Sequence, residues 1–455
     1  MPSPAAERAR EYEATAASYV DEHRLPGAAV GIVHEGDLAW SGGVGFADRA
    51  TRRNPDPRTL YRVASITKTF TATAILQLRD DGKLGLDDPA ITYLPELAQA
   101  GSPFGPIESV TIRRMLSHES GLQSEPPGTD WSAVAYEFDP ARTLRRADEI
   151  ALRVPVHTQW KYSNLAYQLL GEIVSRVSGT PYPKYLRSRI LRPLGMSSTS
   201  FDPLAARLSA SCATGYEPRF LSDELEVAPA DRTIFGAEGG LWSCVEDLAR
   251  WLSCQLADDP KIVARSTLDE MHRPRYLTDE EWTRAWCIGW YARRREDAIW
   301  IMHTGGYYGF TTAACFDRKS KVGTIALLNG IGDPTELALR IGTLAREAVL
   351  GAAPALDVPA ALPEAFRPYV GLYTARHFGT VLRLEWRDGK LTAIDPDQPA
   401  WTPTLAPTDE TDVFLIEPGF RESGELVRFE RAADGRVVSM QFAVAGMLRL
   451  EPVAP

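Results

Sequence analysis

Little in this chain invites redox, metal or membrane chemistry. Its five cysteines (Cys212, Cys244, Cys254, Cys287 and Cys315) are odd in number and widely spaced, so they form no disulfide framework and read as reduced core thiols. Neither Cys-x-x-Cys nor His-Glu-x-x-His occurs, which leaves no visible metal site and no cofactor motif. Gly-x-Ser-x-Gly is missing too, and with it the α/β-hydrolase elbow. No window is apolar and long enough to span a bilayer. Residues Met1 to Arg10 are charged and lack an apolar h-region, so no secretory signal is expected and the location reads as cytoplasmic. A net charge of −10 and the want of a basic, aromatic-interleaved patch exclude nucleic acid and anionic membrane as partners.

What is present is ordinary globular material. Hydrophobic residues make up 44% of 455 positions, enough for two or three lobes. Ala5 to Arg24 reads as an amphipathic helix stopped by Leu25-Pro26-Gly27. Ala28 to His34 and Asp37 to Gly45 read as a hairpin about Glu35-Gly36. Helical patterns fill the middle: Ala72 to Leu78, Ile112 to Leu116, Leu165 to Val177, Tyr182 to Leu191 and Val245 to Leu256, the last with a start signal at Ser243. Gln123 to Arg142 is loop-like. Strand patterns return at Trp286 to Ala292, Ala298 to Met302, Phe310 to Phe316 and Val322 to Asn329, before a helix from Glu336 to Leu350.

Strands at both ends with helices between predict an α+β domain over residues 1–352. Residues 353–365, rich in Ala and Pro, read as a linker. Residues 366–455 carry short alternating strands (Tyr369 to Tyr373, Val381 to Trp386, Lys390 to Ile394, Val413 to Glu417, Leu426 to Glu430, Val437 to Ala443 and Met447 to Glu451) with hairpin turns at Asp388-Gly389 and Asp434-Gly435, which predict a small antiparallel barrel.

Three stretches carry chemistry. Ser65 and Lys68 are three apart, neighbours on a helix face. An amine held beside a serine hydroxyl can take its proton if burial favours the neutral form, and a first-turn serine has free N–H groups for a developing anion. The plain alternative is a capping serine and a solvated lysine. Tyr162-Ser163-Asn164 pairs a phenol able to act as base and acid with an amide that both donates and accepts; otherwise Tyr162 is core and Asn164 a helix cap. His303-Thr304-Gly305-Gly306 ends a strand where glycines admit a substrate to the backbone and the Gly306 N–H can face an oxyanion. Its bland reading is a strand-end turn with a solvated histidine.

In this order the three motifs resemble the serine β-lactamase/penicillin-binding-protein superfamily, in its class C β-lactamase-like branch, over roughly residues 10 to 350. Arg24-Leu25-Pro26-Gly27, Leu116 to Leu122 and Gly239-Gly240-Leu241-Trp242-Ser243 strengthen the likeness. The resemblance implies a β-lactamase/transpeptidase-like domain, an antiparallel sheet flanked by helices plus an all-helical lobe, and a lipocalin-like barrel after it. It implies Ser65 as nucleophile, Lys68 and Tyr162 as proton handlers, Asn164 as substrate orienter, the Ser65 and Gly306 N–H groups as oxyanion hole, and His303, Thr304 and Gly305 along the substrate.

His303 stands where β-lactamases carry lysine, so a β-lactam carboxylate is gripped less well. Within the branch the sequence is most like the stand-alone penicillin-binding-protein-type thioesterases, which cyclise and release non-ribosomal peptides. Two residues direct that choice: Glu238, placed to hold a peptide ammonium, and Arg449, placed to reach over the cleft from the barrel. Each has a bland alternative, a surface charge and an outward strand residue. The expected substrate is a peptidyl thioester, with a peptidyl carrier protein as partner. The alternative is an esterase or D-amino-acid-directed peptidase on an ester or peptide, and a catalytically silent scaffold is a third reading.

Overall fold

The computed structural model describes residues 8–129, 139–201, 211–218, 225–227, 236–295, 297–350, 362–375, 380–387, 389–394, 402–417, 424–442 and 445–450. Residues 353–361 of the expected linker (353–365), 130–138 of the expected loop, 5–7 of the first helix, Asp388 of an expected turn, and Ala443 and Glu451 at expected strand ends lie outside them. Two compact units divide the chain, Met1–Gly351 and Ala352–Pro455.

The first unit is built on an eight-stranded sheet. In chain order its strands are β1 (Gly27–His34), β2 (Asp37–Gly45), β3 (Tyr276–Leu277), β4 (Arg284–Trp286), β5 (Tyr291–Arg295), β6 (Ala298–Tyr307), β7 (Phe310–Asp317) and β8 (Val322–Leu328). They lie in the order β2-β1-β8-β7-β6-β5-β4-β3, every pair antiparallel. The β1–β2 turn places both Glu35 and Gly36 at positive φ, 53° and 88°, the conformation a tight right-twisted hairpin demands.

Both faces of the sheet are covered, which explains why β1 and β8 are apolar without alternation. Ala28, Val30 and Ile32 pack with helices α1 (Ala9–Glu22) and α5 (Pro334–Leu350), through Tyr12, Tyr19, Leu337 and Ile341. Ala29 and Val33 face the other way, into a larger core shared with α2 (Thr67–Asp80), α3 (Asn164–Ser178) and α4 (Val245–Leu256). Helix α2 is buried from Thr67 to Leu78, as a helix with no polar stripe must be. Its threonine hydroxyls are satisfied internally: Thr69 donates to the Ile66 carbonyl at 2.8 Å, Thr71 to that of Ala237 at 2.6 Å and Thr73 to that of Thr69 at 2.9 Å.

Several elements differ from the sequence reading. The run Trp286 to Ala292 is two strands, because Gly289 turns the chain at φ 71° and lies against α2, where a Cβ would stand 2.5 Å from that of Ala72. Strand β6 continues to Tyr307, so His303 to Gly306 lie within it and not in a turn beyond it. Helix α4 spans the expected residues, but Ser243 does not cap it; its hydroxyl pairs with that of Thr199 at 2.8 Å.

The second unit is a closed, fully antiparallel barrel of eight strands: β9 (Gly371–Ala375), β10 (Thr380–Arg387), β11 (Lys390–Ile394), β12 (Thr404–Pro407), β13 (Val413–Ile416), β14 (Leu426–Arg431), β15 (Val437–Phe442) and β16 (Ala445–Leu450), with β9 pairing β16. Tyr373, Leu384, Leu391, Leu405, Ile416, Val427 and Met440 fill it. Sequence reading finds seven of these strands. It assigns nothing to β12, which ends in Pro407, paired with Phe414.

Candidate active site

The site is assembled where α2 begins. Tyr61–Arg62 pairs with Trp242–Ser243, and the chain then makes a single 3-10 turn, Ala64–Ile66, that carries Ser65. That turn is held from several sides. Val63 N–H donates to the Leu241 carbonyl at 3.1 Å, Thr67 Oγ1 donates to the Ala64 carbonyl at 2.6 Å, and Leu241 N–H returns to Thr67 Oγ1 at 3.1 Å. Ala64 itself sits at φ 44°, a backbone conformation a non-glycine residue holds only when its surroundings impose it.

Lys68 is wholly buried and its Nζ meets three oxygens: Ser65 Oγ at 3.1 Å, Asn164 Oδ1 at 2.7 Å and the Glu238 carbonyl at 2.6 Å. Two of these can only accept. A neutral amine spends its two hydrogens on them and turns its lone pair to the one neighbour able to donate, the Ser65 hydroxyl. An ammonium fits the same three points with all its hydrogens donated. The arrangement accommodates both states of a proton-transfer base.

Tyr162 stands beside this amine. Lys68 Nζ lies 4.9 Å from its ring centroid, and 5.6 Å from that of Tyr167. The phenol hydroxyl makes no hydrogen bond to Ser65 or Lys68 in this structure; the contact is through the ring. Three features of His118 fix that ring. Its carbonyl accepts Lys161 N–H at 2.8 Å, its Nδ1 accepts Ser163 N–H at 3.1 Å, and its imidazole packs tilted against the Tyr162 ring, centroids 4.2 Å apart. Burial, and then the Lys68 charge, push the His118 imidazole well below its ordinary value, so it is neutral with the hydrogen on Nε2.

Asn164 opens α3, but Ser163 is its cap, accepting Ala166 N–H at 3.0 Å. The Asn164 amide is thereby free for the site: Oδ1 on Lys68, and Nδ2 donating to Glu125 Oε1 at 2.7 Å. Strand β6 supplies the opposite wall. A Cβ on Gly305 would lie 2.1 Å from the Val63 carbonyl, so the strand meets the Ser65 turn backbone to backbone. Gly306, next along, is exposed, with nothing within 4 Å of where its Cβ would be, and Thr304 is half-buried.

The structure corrects three expectations. His303 is not the solvated histidine of the bland reading: it is buried, donates Nδ1–H to the Thr304 carbonyl at 2.7 Å, and burial beside Lys68 pushes its pKa down to about 3. Glu238 is not an open cleft acid. It is 2% exposed, its Oε1 accepts Gly236 N–H at 3.0 Å, and burial pushes its carboxyl up to about 7. Arg449 serves its own barrel, donating to the carbonyls of Pro368 at 2.8 Å, Val370 at 2.7 Å and Val437 at 3.2 Å. Ser65, Lys68, Tyr162 and Asn164 come together, with Gly305 against the turn that carries Ser65. Sequence reading missed Glu125 and gave His118 no role. The only signal for His118 was its place in the Leu116 to Leu122 stretch, and Glu125 carried none.

None of the five cysteines is in a disulfide, and four of them are buried. Among the described residues no helix is long and apolar enough to cross a membrane, and no three His, Cys, Asp or Glu side chains stand close enough to hold a metal ion.

A curated relative, Protein flp of Staphylococcus aureus, is 28% identical over 317 residues, 67% of this chain and 60% of its own length. The chain thus spans well under two thirds of that relative. Among solved structures, the octameric penicillin-binding protein homologue from Pyrococcus abyssi superposes with a TM-score of 0.67 at 23% identity, over 97% of this chain and 99% of its own. A D-stereospecific amidohydrolase from Streptomyces gives 0.62 at 22% identity, over 73% and 98%. At these identities the two structures speak for the fold. The family model described as Beta-lactamase matches residues 12–347, and the chain belongs to the beta-lactamase family.

Proposed function

We propose that this protein is a serine hydrolase that works through an ester on Ser65, with amides, peptides or esters as acyl donors. The observation that carries the reading is the Lys68 amine, sealed from water and held by two pure acceptors so that its remaining position faces Ser65 Oγ. As Oγ attacks the carbonyl carbon, its proton moves to Lys68 Nζ. The oxyanion forms against the N–H groups of Ser65 and Gly306. Collapse expels the leaving group, which takes the proton back from Lys68 directly or through the Tyr162 phenol. Water then attacks the acyl-enzyme in the mirror sequence. Asn164 orients the substrate, and Thr304 and Gly305 offer it a strand edge. His303, buried and neutral, is no anion clamp.

A second reading, release of a peptidyl thioester from a carrier protein by macrocyclisation, differs only in the acceptor: the substrate's own amine replaces water, aided by its high effective concentration. Its support is the resemblance to stand-alone thioesterases, which carry such a C-terminal barrel as some peptidases also do. The two residues that would recognise a peptide, Glu238 and Arg449, are engaged within their own units, and hydrolysis is therefore placed first.

A fluorophosphonate probe tests the common step. Mass spectrometry is expected to find it on Ser65, and on nothing in Ser65→Ala; an unlabelled wild type overturns the proposal in both forms. A synthetic peptidyl thioester with a free amine then separates the two: linear acid supports hydrolysis, and cyclic peptide replaces it with the second reading.

A further inference from the structure

The helical part of the first unit holds a cavity of about 600 Å³ that shares no residue with the catalytic centre, and its volume is that of a small-molecule site. It is made by a reversal of the chain. Residues 182–194 are helical, Gly195 ends the run at φ 71°, and the chain then returns until Phe201 meets the Tyr182 ring edge-on at 5.5 Å. The hollow lies between the helical run and the returning segment. Pro183 and Leu191 from the first, with Met196 and Phe201 from the second, give it an apolar lining.

Three cations stand around that lining, Lys184, Arg187 and Arg192, all of them exposed. None has a salt bridge or a side-chain hydrogen bond among the described residues. Arg189, in the same helical run but outside the cavity, does reach an acid, Asp81 at 3.3 Å. Among the described residues no Asp or Glu lines the hollow. Asp247, behind the Thr199 wall, is 1% exposed and already accepts from the Thr199 hydroxyl, the Ser198 N–H and Arg250. In a chain of net charge −10, three unmatched positive groups around one hollow are a local feature and not a property of the surface at large. They repel one another until an anion comes between them, and that anion takes charge-assisted hydrogen bonds. An apolar tail on the same molecule covers Leu191, Met196 and Phe201 and is itself removed from water. A polyanion without a tail leaves the lining wet, and a neutral lipid leaves the cations unmatched. A bilayer surface would meet only the rim.

We propose that this cavity binds a small anionic amphiphile, a single carboxylate on an aliphatic chain, with the head among Lys184, Arg187 and Arg192 and the chain along the apolar lining. Titration calorimetry on the full chain tests it with decanoate below its micellar concentration. One-site binding is expected, with decanol and acetate each weaker by about tenfold or more, since each lacks one half of the match. In the double variant Arg187→Gln, Arg192→Gln, both at exposed positions, the affinity for decanoate is expected to fall about tenfold while that for decanol stays within about twofold. Equal affinity of the wild type and the double variant for decanoate overturns the site, because the ligand is then held elsewhere, the Ser65 cleft included. Equal affinity for decanoate and decanol overturns it too. Binding to phosphatidylglycerol vesicles with none to monomeric decanoate replaces the site with a membrane contact. Each of these results is independent of whether the fluorophosphonate labels Ser65, so the site and the hydrolase reading stand or fall separately.

Discussion

At the scale of single residues the site turns on how few hydrogen-bonding choices Lys68 has. Replacing it by arginine puts a permanent cation there, with no lone pair to receive the Ser65 proton. Lys68→Arg is expected to lower kcat/KM and the rate of fluorophosphonate labelling by about a thousandfold or more, at the upper end of what a general base contributes; near wild-type labelling would show that the proton goes elsewhere. Glu238 gives a stability prediction. Its folded-state pKa of about 7 lies above its ordinary value of 4.5, so the folded protein binds a proton there that the unfolded chain releases first. That favours the folded state below pH 4.5, and the advantage is lost as pH rises through 7, an effect on the order of 3 kcal/mol. Glu238→Gln is expected to flatten the fall in urea midpoint between pH 5 and 8; an unchanged slope would mean the carboxyl is ionised throughout. The buried histidines act in the opposite sense. His272 and His303, both pushed down to about 3, hold stability above pH 6.5 that is lost as pH falls toward 3.

Among the elements, β6 and the turn before α2 are locked by the bare backbone of Gly305. Gly305→Ala puts a methyl 2.1 Å from the Val63 carbonyl and 2.7 Å from Thr312 Oγ1. It is expected to cost about 1–3 kcal/mol and to slow Ser65 labelling, read by thermal melting and by probe kinetics; a melting point within a degree of wild type would mean the strand shifts freely. The His118 clamp is separable in the same way. His118→Phe keeps a ring on Tyr162 but strands the Ser163 N–H, whereas His118→Asn restores an acceptor. The expectation is a fall in kcat of roughly a hundredfold for the phenylalanine variant, the cost of misplacing a reacting group, with partial recovery in the asparagine variant. Equal losses in both would assign the effect to ring packing alone.

Much of this scale was legible in the primary structure. Helices over Val245–Leu256 and Asn164–Ser178 and the first hairpin announce themselves by period and turn chemistry, because local pattern and tertiary need agree there. Ser65, Lys68, Tyr162 and Asn164 were legible because each motif is short and ordered. Glu125 was not: its importance comes from a loop carried to the head of α3, and nothing in Gln123-Ser124-Glu125 marks that approach. Glu238 and Arg449 were misread because burial and carbonyl partners are tertiary facts. The split at Gly289 and the proline-bearing strand β12 failed for the same reason, a long-range contact overriding a local tendency.

On the scale of the whole molecule, the two units have separate hydrophobic cores with no residue in common. Each is closed, one by helices on both sheet faces and the other by pairing of its first and last strands. Calorimetry on the full chain is expected to resolve two transitions, and the piece Met1–Gly351 to retain the melting point of the catalytic unit within a few degrees. One cooperative transition would show that the cores unfold together.

The position of β1 has a consequence for biosynthesis. It lies between β2, made immediately after it, and β8, made nearly three hundred residues later. A ribosome that has passed Gly45 but not yet delivered Val322–Leu328 therefore displays a hairpin with an apolar, unsatisfied flank. Until Val322–Leu328 are made, that flank is an unpaired edge of the kind that invites pairing with another chain.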